Sequence, residues 1–228
     1  VLILAVDTTT PGGSVALLDD DTLLGEVNVE SAATHSARLL RSVDFLLAAR
    51  GRTVREVDAF AVAAGPGSFT GIRIGLGAVK ALALASGRPV APVSTLLALA
   101  AKLASDGPRL VAPLLDAKKG EIYAALFEAG PKGLVEIVPQ GAYAPDAFFA
   151  RLPARRVVAF AGSGLAVVEA KLLSHVRDKA RFPERSAFIA AEVGRIGRGL
   201  VLRGKGVDAA VLEPIYFRRS QAEETCRS

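Results

Sequence analysis

One arrangement occurs twice along this chain and sets the terms for its fold. An apolar run ends in an aspartate, a tight turn follows, and two further strand-like segments come after it. The first copy comprises the run 2–6, Asp7, the turn 8–13, the apolar segment 14–18, the turn Asp19-Asp20-Asp21 and the alternating segment 23–29. The second comprises 110–115, Asp116, the turn Ala117-Lys118-Lys119-Gly120, and strands at 121–127 and 134–138. Apolar runs bounded by Gly, Asp and Thr read as strands joined by turns. Three such strands in succession form an antiparallel meander. Internal repetition on this scale predicts two similar subdomains rather than one large sheet.

Each meander leads into alternating helices and strands. Apolar residues at helical spacing over 35–50 put Leu39, Leu40, Val43, Leu46 and Leu47 on one stripe. A strand at 59–64, a glycine-rich turn, a helix at 70–85, a strand at 89–93 and a helix at 95–104 complete the first half. The second half continues with a helix near 145–151, a strand at 156–161, and helices near 165–175 and 188–203. The expected architecture is α/β, with two subdomains, 1–105 and 106–228, each a mixed sheet flanked by helices. The last helix or the tail at 212–218 returns to one half or the other.

Composition narrows the class. Hydrophobic residues make up 51% and charged residues 22% of 228, which is a globular balance. The net charge of +5 suits a nucleic-acid partner, yet the basic residues are scattered rather than gathered into blocks, which favours an arginine-rich solvated surface. Apolar stretches such as 81–86 and 96–101 are too short to span a bilayer, and the first residues lack a basic segment of secretory type. A single cysteine, Cys226, forms no internal disulfide, so a cytoplasmic location is expected.

The most informative stretch is Gly65-Pro66-Gly67-Ser68-Phe69-Thr70-Gly71-Ile72-Arg73-Ile74-Gly75, between a strand and a helix. Free N–H groups at such a helix start hold anions. No Gly-Lys-Ser/Thr closes it, so it is not a Walker A loop. Ser68 or Thr70 serves equally well as a plain N-cap. Asp7 and Asp116, each ending a strand, either hold a magnesium-bound nucleotide together or simply order their own turns. With only His35 and His175 and no cysteine partners, no zinc site is expected, and no Gly-x-Ser-x-Gly elbow occurs.

The helix at 70–85 carries only two charged residues, Arg73 and Lys80. Ile72, Leu76, Val79 and Ala83 form one apolar face. Gly71, Gly75, Ala78, Leu82 and Ala85 form a second, lined by small residues. A helix apolar on both sides needs cover on both. That cover comes either from inside the chain or from a second subunit.

Several of these segments resemble the TsaB (YeaZ-type) family of glycoprotease-like proteins. The carriers are Ile3-Leu4-Ala5-Val6-Asp7-Thr8-Thr9-Thr10, His35-Ser36-Ala37-Arg38-Leu39-Leu40, and the Gly65–Gly75 string. Pro89-Val90-Ala91-Pro92-Val93-Ser94 and the tail Pro214-Ile215-Tyr216-Phe217-Arg218-Arg219 complete the set. The resemblance implies a duplicated actin- and Hsp70-like (ASKHA) fold. It also implies work in making threonylcarbamoyladenosine in tRNA, as a non-catalytic partner that binds and activates the catalytic paralogue TsaD. The ATPase TsaE joins the larger complex, tRNA is met through that complex, and self-pairing is expected when TsaD is absent.

The paralogue's metal-binding His-x-x-x-His falls where this chain reads Ser94-Thr95-Leu96-Leu97-Ala98-Leu99, which offers no imidazole. No metal or cofactor is therefore expected. Carried over from the family, the partner surface comprises His35, Arg38, Leu39, Val43, Leu46, Gly71, Ile72, Gly75 and Val79. A vestigial nucleotide cleft would involve Asp7, Thr8, Ser68 and Asp116. The alternative is an enzyme of the actin-like and sugar-kinase class that binds or hydrolyses magnesium-ATP.

Overall fold

The computed structural model describes residues 1–10, 12–30, 35–105, 107, 109–131 and 133–217. Cys226 and the pair Arg218-Arg219 lie outside that description. The chain forms two compact units and does not divide at a single point. The first unit is Val1–Lys102 together with Ser186–Pro214, and the second is built on Leu103–Arg185 with residues 215–217.

In the first unit, β1 (Leu2–Asp7), β2 (Gly13–Asp19) and β3 (Thr22–Val29) form the antiparallel meander. β4 (Ala59–Gly65) pairs parallel to β1 on its other side, and β5 (Val90–Ser94) pairs parallel to β4. The sheet order is therefore β3-β2-β1-β4-β5. β1 and β4 are buried along their whole length. Strands covered on both faces read as unbroken apolar runs, which is what LILAVD and AFAVAAG are.

Helices cover both faces of this sheet. α1 (His35–Ala49) and α2 (Phe69–Ser86) pack on each other, and α2 lies on β1 and β4. α3 (Thr95–Ala104) follows β5. The other long cover, α6 (Ala190–Leu202), reaches this sheet from the far end of the chain and lies across β1, β2, β4 and β5. Gly75 of α2 approaches Val62, whereas Gly197 of α6 approaches Ala61. Successive strand residues point to opposite faces, so α2 and α6 sandwich the sheet.

α2 starts at Ser68, whose hydroxyl accepts from the Gly71 N–H, and ends at Gly87 in the left-handed conformation (φ 65°) with its N–H on the Ala83 carbonyl. Among the described residues it is the one helix long and apolar enough to cross a membrane. Its inner residues Ile72, Leu76, Val79 and Ala83 are buried against this chain's own sheet.

The second unit repeats the plan. β6 (Leu110–Asp116), β7 (Ile122–Gly130) and β8 (Gly133–Tyr143) are antiparallel. β9 (Val158–Ala161) runs parallel to β6, and the two-residue β10 (Ala180–Arg181) runs parallel to β9. The order β8-β7-β6-β9-β10 matches that of the first sheet strand for strand. Its core gathers Leu110, Leu114, Leu126, Phe148, Phe149 and Phe160 between the sheet and the helices α4 (Pro145–Phe149) and α5 (Leu165–Val176).

Candidate functional site

Asp7 closes β1 and is fully buried. Its Oδ1 accepts from the Thr9 N–H at 2.8 Å and from the Thr9 hydroxyl at 2.6 Å. Its Oδ2 is buried with no hydrogen-bond partner. Burial pushes the carboxyl up to about 6, against the opposing pull of the two Thr9 hydrogen bonds and of the positive charge on Lys102. Half of this carboxylate orders its own turn, as an aspartate at a strand end does. The other half is unsatisfied.

Lys102, the one charged residue of α3, brings its ammonium to the Phe188 carbonyl and within 3.9 Å of the Glu192 carboxylate in the first turn of α6. Glu192 Oε2 is also buried without a hydrogen bond. Asp7, Lys102 and Glu192 therefore form a charged group drawn from β1, α3 and α6. Sequence reasoning missed Lys102 and Glu192. The signal available was a lone lysine in the otherwise apolar TLLALAAKLA.

The glycine-rich string is explained by the turn after Asp7. The Ser68 N–H donates to the Thr9 carbonyl at 2.7 Å, and the Thr8 hydroxyl donates to the Gly71 carbonyl at 2.7 Å. A Cβ at Gly67, Gly71 or Gly75 would lie 2.5 Å from the Thr9 carbonyl oxygen, 1.9 Å from the Thr8 carbonyl oxygen or 2.3 Å from the Thr8 hydroxyl. Real Cβ atoms do not come so close, so glycine is the residue that lets α2 seat on this turn. Thr8 and Ser68 thus bind helix to turn.

Five of the nine residues expected to meet a partner are apolar side chains buried within this chain. Leu39, Val43, Leu46, Ile72 and Val79 are each at most 5% exposed and pack inside the first unit. Gly71 and Gly75 face the Thr8 turn rather than a second subunit, because the inner face of α2 must cover the ends of β1 and β4. Arg38 is half-buried, and the side chain of His35 lies outside the description. What this helix pair does expose is Leu40 (49%) and Phe45 (66%) on α1, with Phe69 (42%) and Leu84 (60%) on α2. The Arg73 guanidinium lies 3.9 Å from the centre of the Phe69 ring.

Asp116 ends β6 in the second unit as Asp7 ends β1 in the first, but its setting is open. Its carboxylate accepts from the Lys118 N–H and the Lys118 ammonium, both at 2.7 Å, and these bonds, the ammonium's first, hold its pKa below the usual carboxylate range. Among the described residues, no group of three or more His, Cys, Asp or Glu stands close enough to hold a metal ion.

With this geometry in place, the likeness to known proteins becomes specific. The family model described as "TsaD: tRNA N6-adenosine threonylcarbamoyltransferase" matches residues 25–182. Similar over its whole length is a crystal structure from Pseudomonas aeruginosa, a protein with similarity to the peptidase YeaZ. It is 31% identical with a TM-score of 0.82, covering 95% of this chain and 99% of that one.

The chain belongs to the TsaB/YeaZ family.

Members of the family include the Escherichia coli tRNA threonylcarbamoyladenosine biosynthesis protein TsaB, 37% identical over 133 residues. That match spans 58% of this chain and 57% of the Escherichia coli protein. A ROK hexokinase from Thermus thermophilus shares the fold alone, at 15% identity and a TM-score of 0.51 over 89% of this chain and all of that one. The duplication expected from the repeat, two mixed sheets flanked by helices, is observed, in the actin-like fold that the resemblance implies.

The kinase-like alternative needs a magnesium-bound nucleotide at Asp7, and the surroundings of that residue offer it few free donors. The Ser68 N–H at the start of α2 is already taken by Thr9, and the Gly71 N–H by the Ser68 hydroxyl. The space beside the glycines is filled by Thr8 and Thr9, and the charge acting on the buried carboxylate is an ammonium of this chain.

Proposed function

We propose that this chain acts in the formation of threonylcarbamoyladenosine in tRNA as a non-catalytic subunit that binds and activates a TsaD-type transferase. The observation that carries the reading is family likeness along the whole chain, at 31% identity over 95% of its length. The name of the Escherichia coli relative supplies the pathway. The match of residues 25–182 to the TsaD family model supports a TsaD-type transferase as the partner.

The docking element is the α1–α2 pair, through its outer strip of Leu40, Phe45, Phe69 and Leu84. Exposed apolar residues grouped on adjacent helices mark interaction surfaces, and aromatic side chains there carry much of the binding energy. The same strip serves self-pairing when the transferase is absent. A TsaE-type ATPase joins the larger assembly, tRNA is met within it, and the work is cytoplasmic.

Reconstitution tests the reading. A TsaD-type transferase, a TsaE-type ATPase, the threonylcarbamoyl donor and unmodified tRNA are combined with and without this chain, and the modified nucleoside is quantified by mass spectrometry. Modification that requires this chain, together with none from the chain alone, supports the proposal. Transfer by the isolated chain, or full activity in its absence, ends it. Calorimetry with magnesium-ATP tests the kinase-like alternative, which needs tight binding and turnover by the isolated protein.

A further inference from the structure

We propose that Lys102 is a built-in cation, its ammonium filling for Asp7 and Glu192 the place that a bound metal ion would otherwise take. The surroundings of that ammonium are the donor set of a hard cation: a backbone carbonyl from Phe188, a carboxylate from Glu192, and the field of the buried Asp7. Two oxygens in this group, Asp7 Oδ2 and Glu192 Oε2, are buried with no hydrogen bond, so their compensation is charge rather than a donor. A buried carboxylate without a positive neighbour is strongly unfavourable. A lysine delivered from an apolar helix supplies the charge permanently, without drawing on the ion content of the solvent.

The arrangement also bears on magnesium at Asp7, because the lysine's positive charge already acts on that carboxylate and disfavours a second cation beside it. It joins three distant parts of the sequence as well. Lys102 ties α3 to the segment 186–192 that leads into α6, and its charge acts on Asp7 at the end of β1. Lys102 holds this position whether or not the chain works as a subunit, so the proposal goes beyond the functional reading above.

The test compares the full chain with Lys102→Met, Asp7→Asn and the double variant by thermal unfolding at pH 8, with and without millimolar magnesium or manganese chloride. Lys102→Met is expected to lower the midpoint by on the order of 5 °C. Asp7→Asn in that background is expected to restore most of the loss, because it removes the charge left without a partner. Magnesium or manganese is expected to raise the midpoint of Lys102→Met and to leave the unaltered chain where it is.

Purely additive effects of the two substitutions would overturn the proposal, as would equal stabilisation of the unaltered chain by the metals. Should Lys102→Met not accumulate as folded protein, the double variant and Lys102→Arg are both expected to do so, and failure of both overturns it. No partner protein or tRNA enters these measurements, so their failure is separate from failure of the subunit reading.

Discussion

The hydroxyl of Thr8, just past the end of β1, donates a 2.7 Å hydrogen bond to the carbonyl of Gly71 in the first turn of α2. That bond is possible only because residues 71 and 75 have no side chain. A Cβ on either would fall on an atom of Thr8. The glycine-rich string therefore belongs to the fold first, and α2 is placed on the sheet to within the reach of one hydroxyl.

Substitution at these glycines should separate by position. Gly71→Ala is expected to cost about 3 kcal/mol, the upper end for overpacking, because the obstructing atom is the Thr8 backbone oxygen. Gly75→Ala is expected to cost less and to be partly relieved by Thr8→Ala, since there the obstruction is a side-chain hydroxyl. Gly77 has nothing within 4 Å of its built Cβ, so Gly77→Ala should stabilise by about 1 kcal/mol through helix propensity alone. Urea unfolding of the three variants measures the order.

Asp7 should make stability depend on pH. Its folded pKa of about 6 lies above the ordinary 3.8, so folding favours the protonated form. The contribution is complete below pH 4, falls away as pH rises to about 6, and is absent above that. A shift of this size corresponds to about 3 kcal/mol across the window. Asp7→Asn keeps an acceptor for Thr9 and should flatten that slope in denaturation curves taken from pH 4 to pH 8. A slope that survives the substitution would assign it to another group.

Charge placed on the outer strip should break partner binding and spare the fold. Phe45→Lys and Leu84→Glu are expected to leave the unfolding midpoint within a few degrees, because both side chains are largely exposed. Each is expected to weaken the complex with a TsaD-type protein by about 30-fold or more, the scale of an interface anchor. Gel filtration and calorimetry with the partner read the two effects separately. Gly75→Arg, by contrast, would damage the first unit itself and report nothing about the interface.

α6 offers a test of close packing on the opposite face. A Cβ at Gly197 would stand 2.4 Å from the Ala61 Cβ, so Gly197→Ala is expected to cost about 1–3 kcal/mol. Ala61→Gly in that background removes the obstructing methyl and should return part of the loss. A double-mutant cycle by chemical denaturation gives the coupling.

Much of this architecture was legible in the residues. The repeated strand–Asp–turn motif announces the duplication, and the continuous apolar runs LILAVD and AFAVAAG announce strands buried on both faces. β10 escaped notice because two residues carry no periodicity, and its pairing with β9 is decided by tertiary packing alone. At the site, the aspartates and the glycine string were visible, but which way the glycines face was not. A stripe of small residues permits close approach without naming the approaching group, and here it is the Thr8–Thr9 turn of the same chain. The charged group of Asp7, Lys102 and Glu192 joins positions far apart in sequence, and no local pattern links them.

The return of α6 to the first sheet has a bearing on synthesis. A chain emerging from the ribosome presents Val1–Lys102 early, yet the face of β1 and β4 that α6 covers stays bare until residues 190–202 appear. The stretch Leu103–Arg185 is uninterrupted and closes its own core as soon as it is out. The sheet made first is thus covered only after the second core has its residues, and its bare apolar strands are at their most aggregation-prone while the nascent chain is still growing.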